Sequence, residues 1–273
     1  MIFYSLQPKD ISCPGWLTFL DEVSKVLIIG GDGTLHHTIQ HLINKPVEIN
    51  LVPAGTANDF ARWVGLFLNP LKSLDQLENG KTIKYDTISA NGRHVVSGGG
   101  FGLGFLVADN ANRLKKSHKW TLLMKLTGDK IYSLLLVWHS IFARNNTCSF
   151  RITDNEDVRD YISHACVFTN QASIGKNIVV APGTKATDGL FHFLLFKNPS
   201  CQSVLYSLLK IKMGLSSKDR YQCRQEVNKI SIYYNKRVPA FGDGEVIPES
   251  EHWDLCCHKG ALNMRVPEKF NGL

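Results

Sequence analysis

At 273 residues the chain can bury a sizeable core and exceeds the usual single domain of roughly 100 to 150 residues, so two domains are expected. With 44% apolar and 20% charged residues it has an ordinary globular composition, which excludes a disordered chain. The formal charge of +7 favours anionic partners, but the lysines and arginines are spread out and no RNA-stacking or zinc-finger pattern accompanies them, so nucleic acid is not expected among those partners.

The first residues, MIFYSLQPKD, lack the basic and apolar segments of a secretory signal. Ile2 to Leu6 reads as a strand, and after Pro14 the helical spacing of Trp16, Phe19, Leu20 and Val23 predicts a helix. Val26 to Ile29 is a short apolar run typical of a parallel strand covered on both faces, and it leads directly into Gly30 and Gly31. Leu35, Ile39, Leu42 and Ile43 then mark one face of a helix that ends near Asn44 and Pro46. The arrangement recurs with a strand at Glu48 to Val52, a turn at Pro53 to Thr56, and a helix from Ala57 with Asn58 and Asp59 in its first turn. In an open parallel sheet two such loops lie side by side at the carboxyl ends of the strands, where ligands bind.

Beyond about residue 80 strands dominate: Thr82 to Ala90, His94 to Gly104, Cys148 to Thr153, Ala165 to Thr169, Leu190 to Phe196 and Ile230 to Tyr234. Helices are expected at Trp120 to Phe142 and Cys201 to Met213. The longest apolar run, Ile131 to Ala143, is shorter than the roughly 20 residues needed to cross a bilayer, so any membrane contact is expected to be peripheral. The seven cysteines are odd in number and contain no C-x-x-C pair, which reads as reduced thiols in the cytoplasm. Cys256 and Cys257 with His252 and His258 do not complete a tetrahedral metal set, because adjacent strand residues point to opposite faces.

Gly30-Gly31-Asp32-Gly33-Thr34 carries the most chemistry. Glycines let backbone N–H groups approach phosphate oxygens, the following helix offers its positive end, and Thr34 can cap that helix or bind phosphate. Asp32 beside phosphates requires a cation or a proton between them, which points to magnesium or to proton abstraction from an acceptor hydroxyl. The loop is neither a Walker A sequence nor a G-x-G-x-x-G fingerprint. Taken alone, Gly242-Asp243-Gly244-Glu245 and Asp188-Gly189 are turn signals.

Four segments in order, GGDGT at 30–34, PAGTANDFAR at 53–62, APGTKATDGLF at 181–191 and GDGE at 242–245, resemble the diacylglycerol kinase catalytic domain family. That resemblance implies an N-terminal parallel α/β nucleotide-binding domain, similar to that of NAD kinases, and a C-terminal antiparallel β-sandwich domain. The nucleotide domain is expected over 1–82, with about 258–273 returning to it, and a β-rich lipid substrate domain over 83–257. It further implies ATP and Mg2+ as cofactors, with Gly30, Gly31, Asp32, Gly33, Thr34, Leu35, His36 and Thr56 on the nucleotide. Glu245 would accept the proton of a lipid hydroxyl, Asp32 would organise magnesium and the γ-phosphate, and Asp188, with the carbonyls of Lys185 and Leu190, would hold a structural magnesium ion.

The implied activity is transfer of the ATP γ-phosphate to diacylglycerol, a sphingoid base or ceramide, presented at a membrane surface to a cytoplasmic, peripherally attached enzyme, with a homodimer as one assembly. A kinase for a soluble substrate in the manner of NAD kinases, a non-catalytic lipid-binding relative and a generic phosphate-binding protein stand as alternatives. Against the family pattern, 29 residues precede Gly30, where an additional strand ending in an Asn-Pro turn is expected. His36 and His37 stand where Asn-Glu is common, and the segment Ile174 to Asn177 is altered, with Lys176 left to attract phosphate.

Overall fold

The computed structural model describes residues 20–115, 148–154, 157–163, 165–174, 178–196, 200–213 and 221–272. The strand expected at Ile2 to Leu6, the start of the helix after Pro14, the helix at Trp120 to Phe142 and Lys176 lie outside the described residues.

Strand β1 (Lys25–Gly30) runs parallel to β2 (Glu48–Pro53), with Gly30 opposite Pro53. Between them, α1 (Asp32–Ile39) begins at the glycine turn, and the last two apolar residues of its expected face, Leu42 and Ile43, are carried on turns beyond the helix. After β2 come α2 (Asp59–Val64) and α3 (Pro70–Glu78). α3 was not among the elements expected from the sequence, although its signals are plain: Asn69 caps it by accepting the Lys72 N–H at 3.1 Å, and Pro70 starts it. β1 is also less enclosed than its apolar run implies, since Leu27 is 49% and Ile29 65% exposed.

The remainder is mostly antiparallel. Strands β3 (Lys81–Ala90), β4 (Arg93–Val95) and β5 (Gly98–Gly102) precede α4 (Leu103–Lys115), so the single strand expected from His94 to Gly104 is divided and ends in a helix. β6 (Cys148–Asp154), β7 (Asp157–Ser163), β8 (Ala165–Thr169), β9 (Ser173–Ile174), β10 (Ile178–Val179) and β11 (Phe191–Phe196) follow. Then come α5 (Cys201–Lys212), β12 (Tyr221–Val227), β13 (Lys229–Gly242) and β14 (Glu245–Val266).

Among the described residues, the strands other than β9 and β10 join one hydrogen-bonded network whose main path is β1-β2-β14-β13-β5-β8-β11-β12. The strand β14 decides this continuity. Its first part pairs antiparallel with β13, and its last part lies parallel to β2, with Asn263 opposite Glu48. Two cores result. Ile28, Leu35, Ile39, Ile49, Phe60, Tyr85 and Met264 pack in one, and Phe101, Phe168, Phe193, Ile232, Trp253 and Leu255 in the other. β3 and β14 each give side chains to both, so the ground between the cores is bridged by continuous strands.

Candidate active site

The site is organised around the first turn of α1. Gly31, its N-cap, is extended and offers no side-chain cap, so the leading N–H groups of α1 have no intrahelical acceptor. Those donors, with the positive end of the helix, fit a polyphosphate. The loop after β2 is pressed against this turn: a Cβ on Gly55 would come within 2.4 Å of the Gly31 Cα, so neither position has room for a side chain. Asn58, in the left-handed region at φ 51°, holds the second loop by accepting the Gly55 N–H at 3.0 Å and donating to the Gly55 carbonyl at 2.8 Å. Thr56 stands exposed on that loop, and the Thr34 side chain covers Gly30.

Asp32 ties the loops together. Its carboxylate accepts the N–H groups of Asp59 and Phe60, each at 3.1 Å, and so caps α2 from the other loop. Burial, reinforced by the carboxylates of Asp59 and Asp243, pushes the Asp32 carboxyl up to about 6 despite those two donors. A divalent cation shared with phosphate oxygens would relieve this crowding of acids, and magnesium commonly binds through one or two carboxylates plus phosphates. Among the described residues no group of three or more His, Cys, Asp or Glu side chains could hold a metal ion by itself, so phosphate oxygens would have to complete the shell.

Glu245 reaches this turn from the other core. β13 and β14 are joined through Asp243 and Gly244, whose φ values of 52° and 83° are those of a tight hairpin turn, with Gly242 paired to Glu245. The Glu245 carboxylate lies against α1: a Cβ on Gly33 would come within 2.7 Å of its Oε1. Asp32, Glu245 and the two glycine loops therefore meet in one place, although they are far apart in the chain.

Leu35 and His36, expected on the nucleotide, are turned inward. Leu35 is sealed in the first core with its N–H bonded to the Gly31 carbonyl, and His36 is 1% exposed with Nδ1 3.0 Å from Asp243 Oδ2. Side chains in those positions face protein, whereas Gly30, Gly31, Asp32, Gly33 and Thr34 are partly exposed and Thr56 is exposed. His37 is half-buried beside them; burial and His36 lower its pKa, and Glu245 opposes that shift.

Lys185, Asp188 and Leu190 share a separate turn, in which Asp188 Oδ1 accepts the Leu190 N–H at 2.9 Å and both Lys185 and Asp188 are exposed. Behind it lies Asp86, which the sequence reading did not single out. This fully buried carboxylate accepts the N–H groups of Gly189 at 2.6 Å and Gly260 at 2.7 Å, and burial raises its pKa. Nothing local in Tyr85-Asp86-Thr87 announces such a role, because its partners lie more than a hundred residues away.

Residues 18–90 match the diacylglycerol kinase catalytic domain, and residues 124–263, just over half of the 273, match the YegS C-terminal NAD kinase beta sandwich-like domain. The chain belongs to the diacylglycerol kinase catalytic domain family. Members of this family are kinases, and kinases of this kind use ATP with a divalent metal. A protein of Shewanella frigidimarina (strain NCIMB 400) named "Probable lipid kinase YegS-like" is 27% identical over 239 residues, 84% of this chain and 72% of that protein. The diacylglycerol kinase of Bacillus subtilis (strain 168) is 25% identical over 236 residues, 83% of this chain and 72% of its own length. A crystal structure of a diacylglycerol kinase from Bacillus anthracis str. Sterne covers 99% of this chain and 86% of that one with a TM-score of 0.70 at 16% identity. Another chain from that organism reaches 0.79 at 20% identity, covering 99% and 85%. At such identity the likeness is one of fold, an N-terminal catalytic domain with a C-terminal β-sandwich. Among the described residues no helix is long and apolar enough to cross a membrane.

Proposed function

We propose that this protein transfers the γ-phosphate of magnesium-bound ATP to a hydroxyl of diacylglycerol or a related lipid, a sphingoid base or ceramide, presented at a membrane surface. The observation that carries the reading is the meeting of Glu245 with the first turn of α1: an acid delivered on a tight turn from one core stands over the phosphate-binding loop of the other. In this reading the backbone donors of Gly31, Gly33 and Thr34, with Thr56, hold the phosphates, and Asp32 faces the cation. Glu245 accepts the proton of the lipid hydroxyl as the phosphoryl group moves. Asp188, with the Lys185 and Leu190 carbonyls, would hold a second, structural magnesium ion. The family membership and the names of the curated relatives support a lipid as acceptor.

The test presents diacylglycerol, monoacylglycerol, sphingosine and ceramide separately in vesicles with labelled ATP and magnesium. Transfer to one of them is expected, and Glu245→Gln and Asp32→Asn should each abolish it while the protein remains folded. Transfer to a soluble acceptor but to none of the lipids would overturn the reading. Undiminished turnover in either variant would remove the role assigned to that residue.

A further inference from the structure

We infer that His36 and Asp243 form a buried latch that positions Glu245 over the phosphate loop, an inference that rests on Glu245 being the proton acceptor. The anomaly that calls for it is Asp243. An Asp-Gly hairpin turn ordinarily leaves its aspartate in water, whereas the Asp243 side chain is 0% exposed.

Its carboxylate is fully engaged. Oδ1 accepts the Ser97 N–H at 2.8 Å, and Oδ2 accepts the Val96 N–H at 3.1 Å and lies 3.0 Å from His36 Nδ1. The Asp243 N–H in turn donates to the Gly98 carbonyl at 2.9 Å. With Nδ1 as donor, one carboxylate receives three N–H groups, two from the strand side and one from α1. The turn therefore cannot shift without breaking bonds to both.

The geometry of α1 connects this to Glu245. Gly33 and His36 are three residues apart and lie on one face of the helix, so the face that meets the Glu245 carboxylate also meets the base of its turn. One turn further on, Gln40 secures the helix itself: its amide donates to the carbonyls of His36 at 2.8 Å and His94 at 2.7 Å, and its oxygen accepts the His94 N–H at 2.9 Å. On the turn itself, the Asn112 amide donates to the Gly244 carbonyl at 2.9 Å. Glu245 is thus held by residue 243 behind it and by the helix in front. His36 is a positioning residue and touches no reacting atom.

The latch predicts a division of kinetic effects. His36→Leu removes the donor and should lower kcat for the preferred lipid by about 100-fold, the scale expected when a reacting group is misplaced by an ångström. KM for ATP should stay within about two-fold, because the phosphate donors are untouched. His36→Asn, which keeps a donor near the Nδ1 position, should recover most of the loss.

Two measurements do not depend on turnover. In the unsubstituted protein, histidine NMR should show the His36 Nδ1 proton protected from solvent exchange, and in folded His36→Leu the amides of Val96, Ser97 and 243–246 should exchange faster than in His36→Asn. A fast-exchanging Nδ1 proton, or a folded His36→Leu enzyme with undiminished kcat, overturns the latch. So does a raised KM for ATP with unchanged kcat, which would make His36 a nucleotide contact. Absence of lipid phosphorylation by the unsubstituted protein would instead overturn the proposed function, and the exchange measurements would still decide whether the latch exists.

Discussion

Gly33 shows how narrowly the candidate site is set. The atom nearest to an added Cβ is the end of a flexible side chain, Glu245 Oε1, so Gly33→Ala should fold and make room by moving the carboxylate. Phosphoryl transfer is expected to fall at least about ten-fold with little change in melting temperature, since the loss is one of geometry at the reacting group. Kinetics and a thermal melt of the same variant check this, and an unaffected kcat would mean that Glu245 has room to spare. Gly55 differs, because its neighbour is the Gly31 backbone. A methyl there must separate the two loops. The G-G-D-G run and the turn at Pro53 to Thr56 were legible as neighbouring loops; that Gly31 and Gly55 exclude side chains because the loops touch was not, since the contact joins residues 24 apart on two different loops.

Among the elements, the link between α1 and α2 carries a titration. Asp32 caps α2 and has a carboxyl raised to about 6, so the folded protein holds this proton more tightly than the unfolded chain does. A carboxyl with a raised folded pKa contributes stability that is fully present below its unfolded value near 4 and is lost as pH rises through 6. In the absence of nucleotide and metal, the stability of the unsubstituted protein relative to Asp32→Asn should therefore decline between about pH 4 and pH 7. Denaturant unfolding of the two proteins across that range measures the difference, and a gap that widens in favour of aspartate with rising pH would contradict the assignment. The elements themselves were unevenly readable. A continuous apolar run marked β1, strand-like segments rich in apolar residues marked β2 and β11, and turn residues marked the β13–β14 corner. The length of β14 was hidden, because only part of its 22 residues faces a core and the rest alternates with solvent. The division at Val96 and Ser97 was hidden too, since its reason is the distant Asp243 carboxylate.

In the whole molecule, stability and site geometry depend on the same two strands. Trp253 on β14 is fully buried in the second core, and its Nε1 donates to the Val238 carbonyl at 3.1 Å. Trp253→Ala should cost about 3 to 5 kcal/mol, as expected for emptying a large buried site, and should loosen the hairpin that carries Glu245. Chemical denaturation together with hydrogen exchange at residues 242–247 checks both effects. The sequence alone determined the kinase family and, through that resemblance, the architecture, because the four ordered motifs that carry it are local runs of residues and stay local when the chain folds. The tertiary structure decided that Asp32 caps a neighbouring helix, that His36 faces Asp243 and not a ligand, and that Glu245 stands against Gly33. Each of these is a contact across 27 to 212 residues of chain, and a side chain's partner at that distance is chosen by packing and by the burial of its charge.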